Sequence, residues 1–254
     1  MMKLQFQLRG QEMNRIEAVS DVVFGFALAL LVVSLEVPHT YAALTDAMRG
    51  FPAFALTFAA LMSVWVRHYY FFRYYGLDDF ATIILNTLLL FLVLFYVYPL
   101  KFFVNVFLVN VWLSPITGTA MQISNGPHPV MGWGDVRGLM IIFGSGFAAI
   151  YFVFGALYCH AYQMREELGL SAFESAYTRT TMVSQFLFVG VGLLSIVVAS
   201  VLKLGRSGWA GYVYVLLLPL VALWRWHRRS FDEGDLSPRP LIPSKAAPPV
   251  SGED

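Results

Sequence analysis

The chain has 254 residues, of which 58% are hydrophobic and only 13% charged, against roughly 25% charged in an ordinary soluble domain. That composition excludes a soluble globular fold, and a formal net charge of +1 leaves no electrostatic footprint for nucleic acid. The apolar residues come in runs of about 20, the length that crosses a hydrocarbon core of about 30 Å, so the expected fold is an all-α polytopic membrane protein seated in a lipid bilayer.

In chain order the predicted spans are Arg15 to Val37, Phe51 to Arg73, Phe80 to Val104, Asp135 to Met164, Ser175 to Lys203 and Gly208 to Arg229, six transmembrane helices in one bundle. Acidic Glu17 and Asp21 and an overlong apolar run argue against a cleaved leader in the first of them. Pro99 is expected to kink or end the third. Between the third and fourth, "NGPHPVMGWGD" marks a turn-rich connection. Gly144, Gly146, Gly155, Gly190 and Gly192 permit close helix approach, within or between subunits. Cys159 is the only cysteine, so there is no intrachain disulfide. No internal repeat is visible, which makes 1–229 one six-helix domain. The composition then changes to "SFDEGDLSPRPLIPSKAAPPVSGED", predicting a disordered Pro-rich cytoplasmic tail over 230–254.

Orientation follows from the basic residues. With six spans both termini share one side with the second and fourth loops, and twelve Lys and Arg fall there, including Arg67, Arg73 and the juxtamembrane "RWHRRS", against five on the other side. The more basic side faces the cytoplasm, so both termini are expected to be cytoplasmic, with the protein multi-pass in the cell membrane.

The first span begins "RIEAVSDVVFGF", which sets Asp21 about one and a half turns into an oily helix. An ionised carboxylate there costs several kcal/mol unless it is paired or wetted. Helix two returns antiparallel, so Trp65 and His68 reach the depth of Asp21, and Asn86, six residues into helix three, reaches it too at about 1.5 Å per residue. Taken singly, Trp65 reads as an aromatic-belt residue and His68 as an interfacial histidine. Their shared depth with Ser20, Asp21 and Asn86 predicts instead a polar tie across three helices, about 9 to 12 Å from the helix ends. Arg15 and Glu17 read either as an exposed local pair or as an extension of that tie.

On the same helix, at about 100° per residue with Asp21 as zero, Val22, Phe26, Ala29 and Val33 fall at roughly 100°, 140°, 80° and 120°. They form a narrow apolar stripe turned away from Asp21. Such a stripe is ordinarily packed or lipid-facing. It holds no polar atoms that could coordinate an ion, so the only pore it could line is one closed by a hydrophobic constriction.

"RIEAVSD" resembles the Arg-x-x-x-Phe-Ser-Asp motif of the transmembrane-protein-175 family, the endosomal and lysosomal type of potassium channel with shorter bacterial relatives. "VWVRHYYFF" is similar to that family's Trp-x-x-His segment, and "LNTLLLFLVLFYVYP" to its third helix with Asn86 and Pro99 in place. The resemblance implies a single-repeat member that conducts potassium ions as a homotetramer, its pore lined by four copies of the first helix. Carried over by position, the hydrophobic gate falls on Phe26, where relatives have Ile or Leu. A position that is usually hydroxylated falls on Ala29, and the next apolar layer on Val33. Val19 replaces the motif Phe.

Two functions compete: a homotetrameric potassium-permeable channel, and a non-conducting integral membrane protein of the same fold with a partner-binding or unknown role, which Phe26 and Ala29 favour. Catalysis is not expected. The five histidines are scattered without metal-ligand spacing and no phosphate loop or nucleophile–base pair is present, so no cofactor is assigned.

Overall fold

The computed structural model describes residues 7–10, 12–34, 37–107, 133–202, 204–217 and 219, and among them every regular element is helical. The elements are α1 (Arg15–Val33), α2 (Tyr41–Arg49), α3 (Phe51–Tyr75), α4 (Phe80–Phe107), α5 (Trp133–Gln163), α6 (Ala172–Val201) and a 3-10 segment (Leu204–Leu216). Five of them, α1, α3, α4, α5 and α6, are long and apolar enough to cross a membrane. The predicted sixth span meets only the 3-10 segment among the described residues, and its remainder, like the Pro-rich segment 230–254 and most of the connection before α5, lies outside them. The short amphipathic α2 was not anticipated. Pro99 does not end its helix, which runs on through it to Phe107.

Local chemistry sets several of the boundaries. Asp79 caps α4: its carboxylate accepts from the Ala81 amide at 3.1 Å and the Thr82 hydroxyl at 2.5 Å, and His160 on α5 lies 2.9 Å from its second oxygen. Ser171 and Glu174 form a reciprocal capping box at the start of α6, the arrangement that satisfies two otherwise orphaned amides. This is why α6 begins at Ala172, three residues before the predicted Ser175.

Partial burial pushes the Asp79 carboxyl up, but the Thr82 and His160 contacts outweigh it and hold the group below its ordinary value of 3.8. A carboxylate with a depressed folded-state pKa contributes stability above its unfolded pKa and loses it as pH falls through the folded one. The thermal midpoint of the purified protein should therefore drop as pH is lowered below about 4. In Asp79→Asn that part of the drop should be absent, and equal slopes in the two proteins would show the cap to be energetically silent.

Packing runs α1 against α4 and α3, α4 against α5, and α5 against α6, with the 3-10 segment laid on α5 and α6. α5 and α6 come close together at their glycines. A Cβ added at Gly144 would lie 3.1 Å from the Gly192 carbonyl oxygen and 2.7 Å from Ile196, so glycine is required there. Gly146 admits the Tyr96 ring, whose hydroxyl donates to the Phe143 carbonyl at 2.5 Å. Those glycines thus serve contacts inside one chain. Leu89, Val93 and Val97 of α4 and Val153, Phe154 and Leu157 of α5 are the buried centre.

One end of the bundle is tied by the segment preceding α1. Arg9 forms an ion pair with Glu174 at 3.0 Å and donates to the Leu168 carbonyl at 2.8 Å, while Arg73 donates to the Gly10 carbonyl at 2.8 Å. The lead-in to α1 is thereby fixed to the ends of both α3 and α6.

Candidate functional site

The candidate site is built on α1, α3 and α4. On α1 the side chains of Ser20, Phe24, Ala27 and Leu31 are buried, a spacing of three to four residues that puts them on one face. That face lies against α4 and α3.

Three of the predicted polar residues form a directional chain across these helices. His68 Nε2 donates to Asn86 Oδ1 at 2.8 Å, Asn86 Nδ2 donates to Ser20 Oγ at 2.9 Å, and Ser20 Oγ donates to the Ile16 carbonyl at 2.7 Å. Because the Ser20 hydroxyl hydrogen is committed to its own helix, Ser20 can only accept from Asn86. This fixes the Asn86 amide orientation and puts the His68 proton on Nε2. All three side chains are buried, His68 and Asn86 at 2% and 3% exposure. Aromatic rings enclose the imidazole, Phe24 at 5.5 Å and Phe72 at 4.7 Å between centroids.

Asp21 stands apart from that chain. It is exposed, and one carboxylate oxygen accepts from Trp65 Nε1 at 2.8 Å. The expectation that four donors converge on Asp21 thus resolves into two separate ties, one between α1 and α3 and one through α4. The reason is angular: Ser20 and Asp21 are about 100° apart on the helix, so Ser20 turns to α4 while Asp21 lies at the edge beside Trp65. Arg15 is exposed and has no hydrogen-bond or ion-pair partner among the described residues. The structure does not bring it to either tie.

Phe26, Ala29 and Val33 all lie on the exposed side of α1 with Val22, and Val22, Phe26 and Val33 are 73%, 57% and 77% exposed. Lys101 of α4 donates to the carbonyl and hydroxyl of Ser34 at 3.0 and 2.6 Å. It supplies the positive charge that the C-terminal turn of α1 lacks. Sequence reasoning missed this contact, and missed Arg9 and Arg73 at the other end. The one available signal was Ser171-x-x-Glu174, a capping box whose buried acid needs a cation. Among the described residues no three His, Cys, Asp or Glu side chains gather as a metal site would require.

A family model described as the endosomal/lysosomal potassium channel TMEM175 matches residues 15–96, the stretch that holds both ties and the exposed stripe. A potassium channel of Marivirga tractuosa is 36% identical over 225 residues, covering 86% of this chain and 89% of that protein. One from Chamaesiphon minutus is 30% identical over 158 residues, covering 59% and 66%. Among solved structures, a crystal structure of a variant of the potassium channel MtTMEM175, in complex with a nanobody–MBP fusion, superposes with a TM-score of 0.77 at 34% identity, over 90% of this chain and 99% of that one. The crystal structure of a lysosomal potassium-selective channel TMEM175 homologue from Chamaesiphon minutus gives 0.51 at 26% identity, over 83% and 96%. With identity and coverage of that extent over nearly the whole of both chains, this protein belongs to the TMEM175 family of potassium channels, which are membrane ion channels and not enzymes.

Proposed function

We propose that the chain assembles as a homotetramer in the cell membrane, with six spans and both termini cytoplasmic, and forms a potassium-permeable cation channel whose pore is lined by α1. Phe26 is the hydrophobic constriction, and Ala29 and Val33 are the layers beyond it. The observation that carries this is the two-sidedness of α1: its Ser20, Phe24, Ala27 and Leu31 face is fully used inside the chain, and its Val22, Phe26, Ala29 and Val33 face is bare. Asp21 adds support. Its exposed carboxylate would cost several kcal/mol against hydrocarbon, and a wetted vestibule beside the pore removes that cost. The two polar ties hold α1 in register and leave its other face free for the axis.

The test is disulfide crosslinking of single cysteines introduced on α1, in a protein whose only native thiol is Cys159. Phe26→Cys, Ala29→Cys and Val33→Cys should crosslink between subunits, and Leu28→Cys, on the Asp21 side of the helix, should not. Crosslinking at Leu28 alone would place a different face at the axis. Phe26 favours a second reading, because four aromatic rings around one axis could close it fully and leave a non-conducting protein of the same fold.

A further inference from the structure

On the other side of α3 from the ties, a cleft of about 670 Å³ opens between α3, α5 and α6. Volumes of that order hold drug-sized ligands. Three polar groups in it lack the partners their chemistry requires. Arg67 lies over the rings of Tyr151 and Phe188 at 5.4 and 5.3 Å, and has no carboxylate or carbonyl partner among the described residues. Thr181 Oγ1 and Gln185 Oε1, in side chains only 4% and 2% exposed, likewise have no hydrogen-bond partner among them. The Gln185 amide nitrogen is turned to Ser184 Oγ at 3.4 Å, so the oxygen is the part of that amide left without a partner among the described residues. Thr181, Gln185 and Phe188 follow one another at four and three residues, so all three share one face of α6.

An unsatisfied buried oxygen costs free energy comparable to a lost hydrogen bond, and an arginine inside a span is rarely left without an anion or water. A ligand that satisfies the set must carry an anion for the guanidinium, a group that pairs with a threonine hydroxyl, and a donor for the glutamine oxygen. Arg67 lies eight residues before the end of α3, about 12 Å along the axis, with its guanidinium held at that depth by the Tyr151 and Phe188 rings. Tyr74 and Tyr177 stand at that end of the cleft, and Met62 and Val66 continue it toward the bilayer centre as an apolar floor. The order from surface inward is thus aromatic rim, cation with polar groups, hydrocarbon surface.

We propose that this cleft is a phospholipid site, and that it selects an anionic headgroup bearing a free hydroxyl. The phosphate accepts from Arg67, whose planar fork matches two phosphate oxygens, and from the Thr181 hydroxyl. The headgroup hydroxyl donates to Gln185 Oε1, and an acyl chain lies along Met62 and Val66. A choline headgroup supplies neither net charge nor donor, and a methyl-capped anionic headgroup supplies the charge alone.

The experiment uses purified, delipidated full-length protein in detergent, with bound lipid counted by native mass spectrometry and the thermal midpoint read in parallel. Phosphatidylglycerol should bind best, phosphatidylmethanol less well and phosphatidylcholine least. Arg67→Gln should weaken phosphatidylglycerol binding roughly tenfold or more, the loss expected for a charge-assisted hydrogen-bonded contact, and abolish its advantage over phosphatidylcholine. Gln185→Met should make phosphatidylglycerol and phosphatidylmethanol equivalent while preserving both over phosphatidylcholine, and it decides the matter alone should Arg67→Gln fail to fold. Equal binding of the three lipids to the native protein would overturn the proposal, as would an Arg67→Gln protein that keeps the preference. Stabilisation by free glycerol phosphate as large as by the lipid would assign the cleft to a soluble anion. Loss of the oligomer in Arg67→Gln with lipid preference intact would assign it to a contact between subunits. Each of those two results also overturns the lipid site.

Discussion

Replacing Asn86 by Leu, a side chain of similar volume, should lower the stability of the folded protein by about 2 to 4 kcal/mol. Asn86 is the only link in its chain that both accepts and donates between helices. Its loss leaves the His68 Nε2–H without an acceptor at a position 2% exposed, and a stranded buried donor costs about 1 to 3 kcal/mol by itself. Ser20→Ala should cost less, because only the outer half of the chain goes and Asn86 keeps its bond with His68. Asp21→Asn should be mildest of the three: the side chain is exposed, and an amide oxygen can still accept from Trp65. Thermal midpoints of the three purified variants in one detergent check the order. An Asp21→Asn protein less stable than Asn86→Leu would locate the structural weight in the Trp65 tie instead.

That ranking differs from what the sequence alone supports, which puts Asp21 at the centre. Depth along a helix is legible in sequence because rise per residue is constant, and so Ser20, Trp65, His68 and Asn86 could be matched to Asp21 without coordinates. Azimuth across a bundle is less so, since it depends on how each helix is rotated against its neighbours. A rotation of about 100° between adjacent residues is enough to send Ser20 to Asn86 and Asp21 to Trp65. Arg67 was hidden for another reason: basic residues near helix ends are counted as topology signals, which gives no weight to the cleft that one of them faces. The Arg9–Glu174 pair joins residues 165 apart in sequence, and only the folded arrangement of α3 and α6 brings them together. The five spans were plain from hydropathy and length. The predicted sixth span is met among the described residues only by the 3-10 segment Leu204–Leu216, which holds Gly205, Gly208 and Gly211.

The polar ties determine where α1 stands, and the residue they position toward the proposed axis is Phe26. An apolar ring at a narrow level excludes water, and an ion crossing a dewetted constriction loses hydration that no ligand replaces. In the proposed tetramer four phenyl rings would raise that barrier above what four Leu side chains would impose, so the native protein is expected to show low basal flux. Phe26→Ala widens the level and Phe26→Asn wets it. Each should raise potassium flux roughly tenfold or more, which corresponds to a barrier lowered by about 1.4 kcal/mol. If the constriction also selects, potassium-over-sodium preference should fall in both. Ala29 is exposed on the same stripe, and a hydroxyl there would give a permeating ion its first polar side chain beyond the constriction. The double substitution Phe26→Leu with Ala29→Thr should therefore conduct more than the native protein while retaining more selectivity than Phe26→Ala. The measurement is ion-driven flux into sealed vesicles containing verified tetramer, with potassium and sodium compared at equal gradients. Phe26 and Ala29 are exposed and stand outside the buried core among the described residues, so these variants should fold as the native protein does, and a uniform absence of flux among them would favour a non-conducting role for this fold.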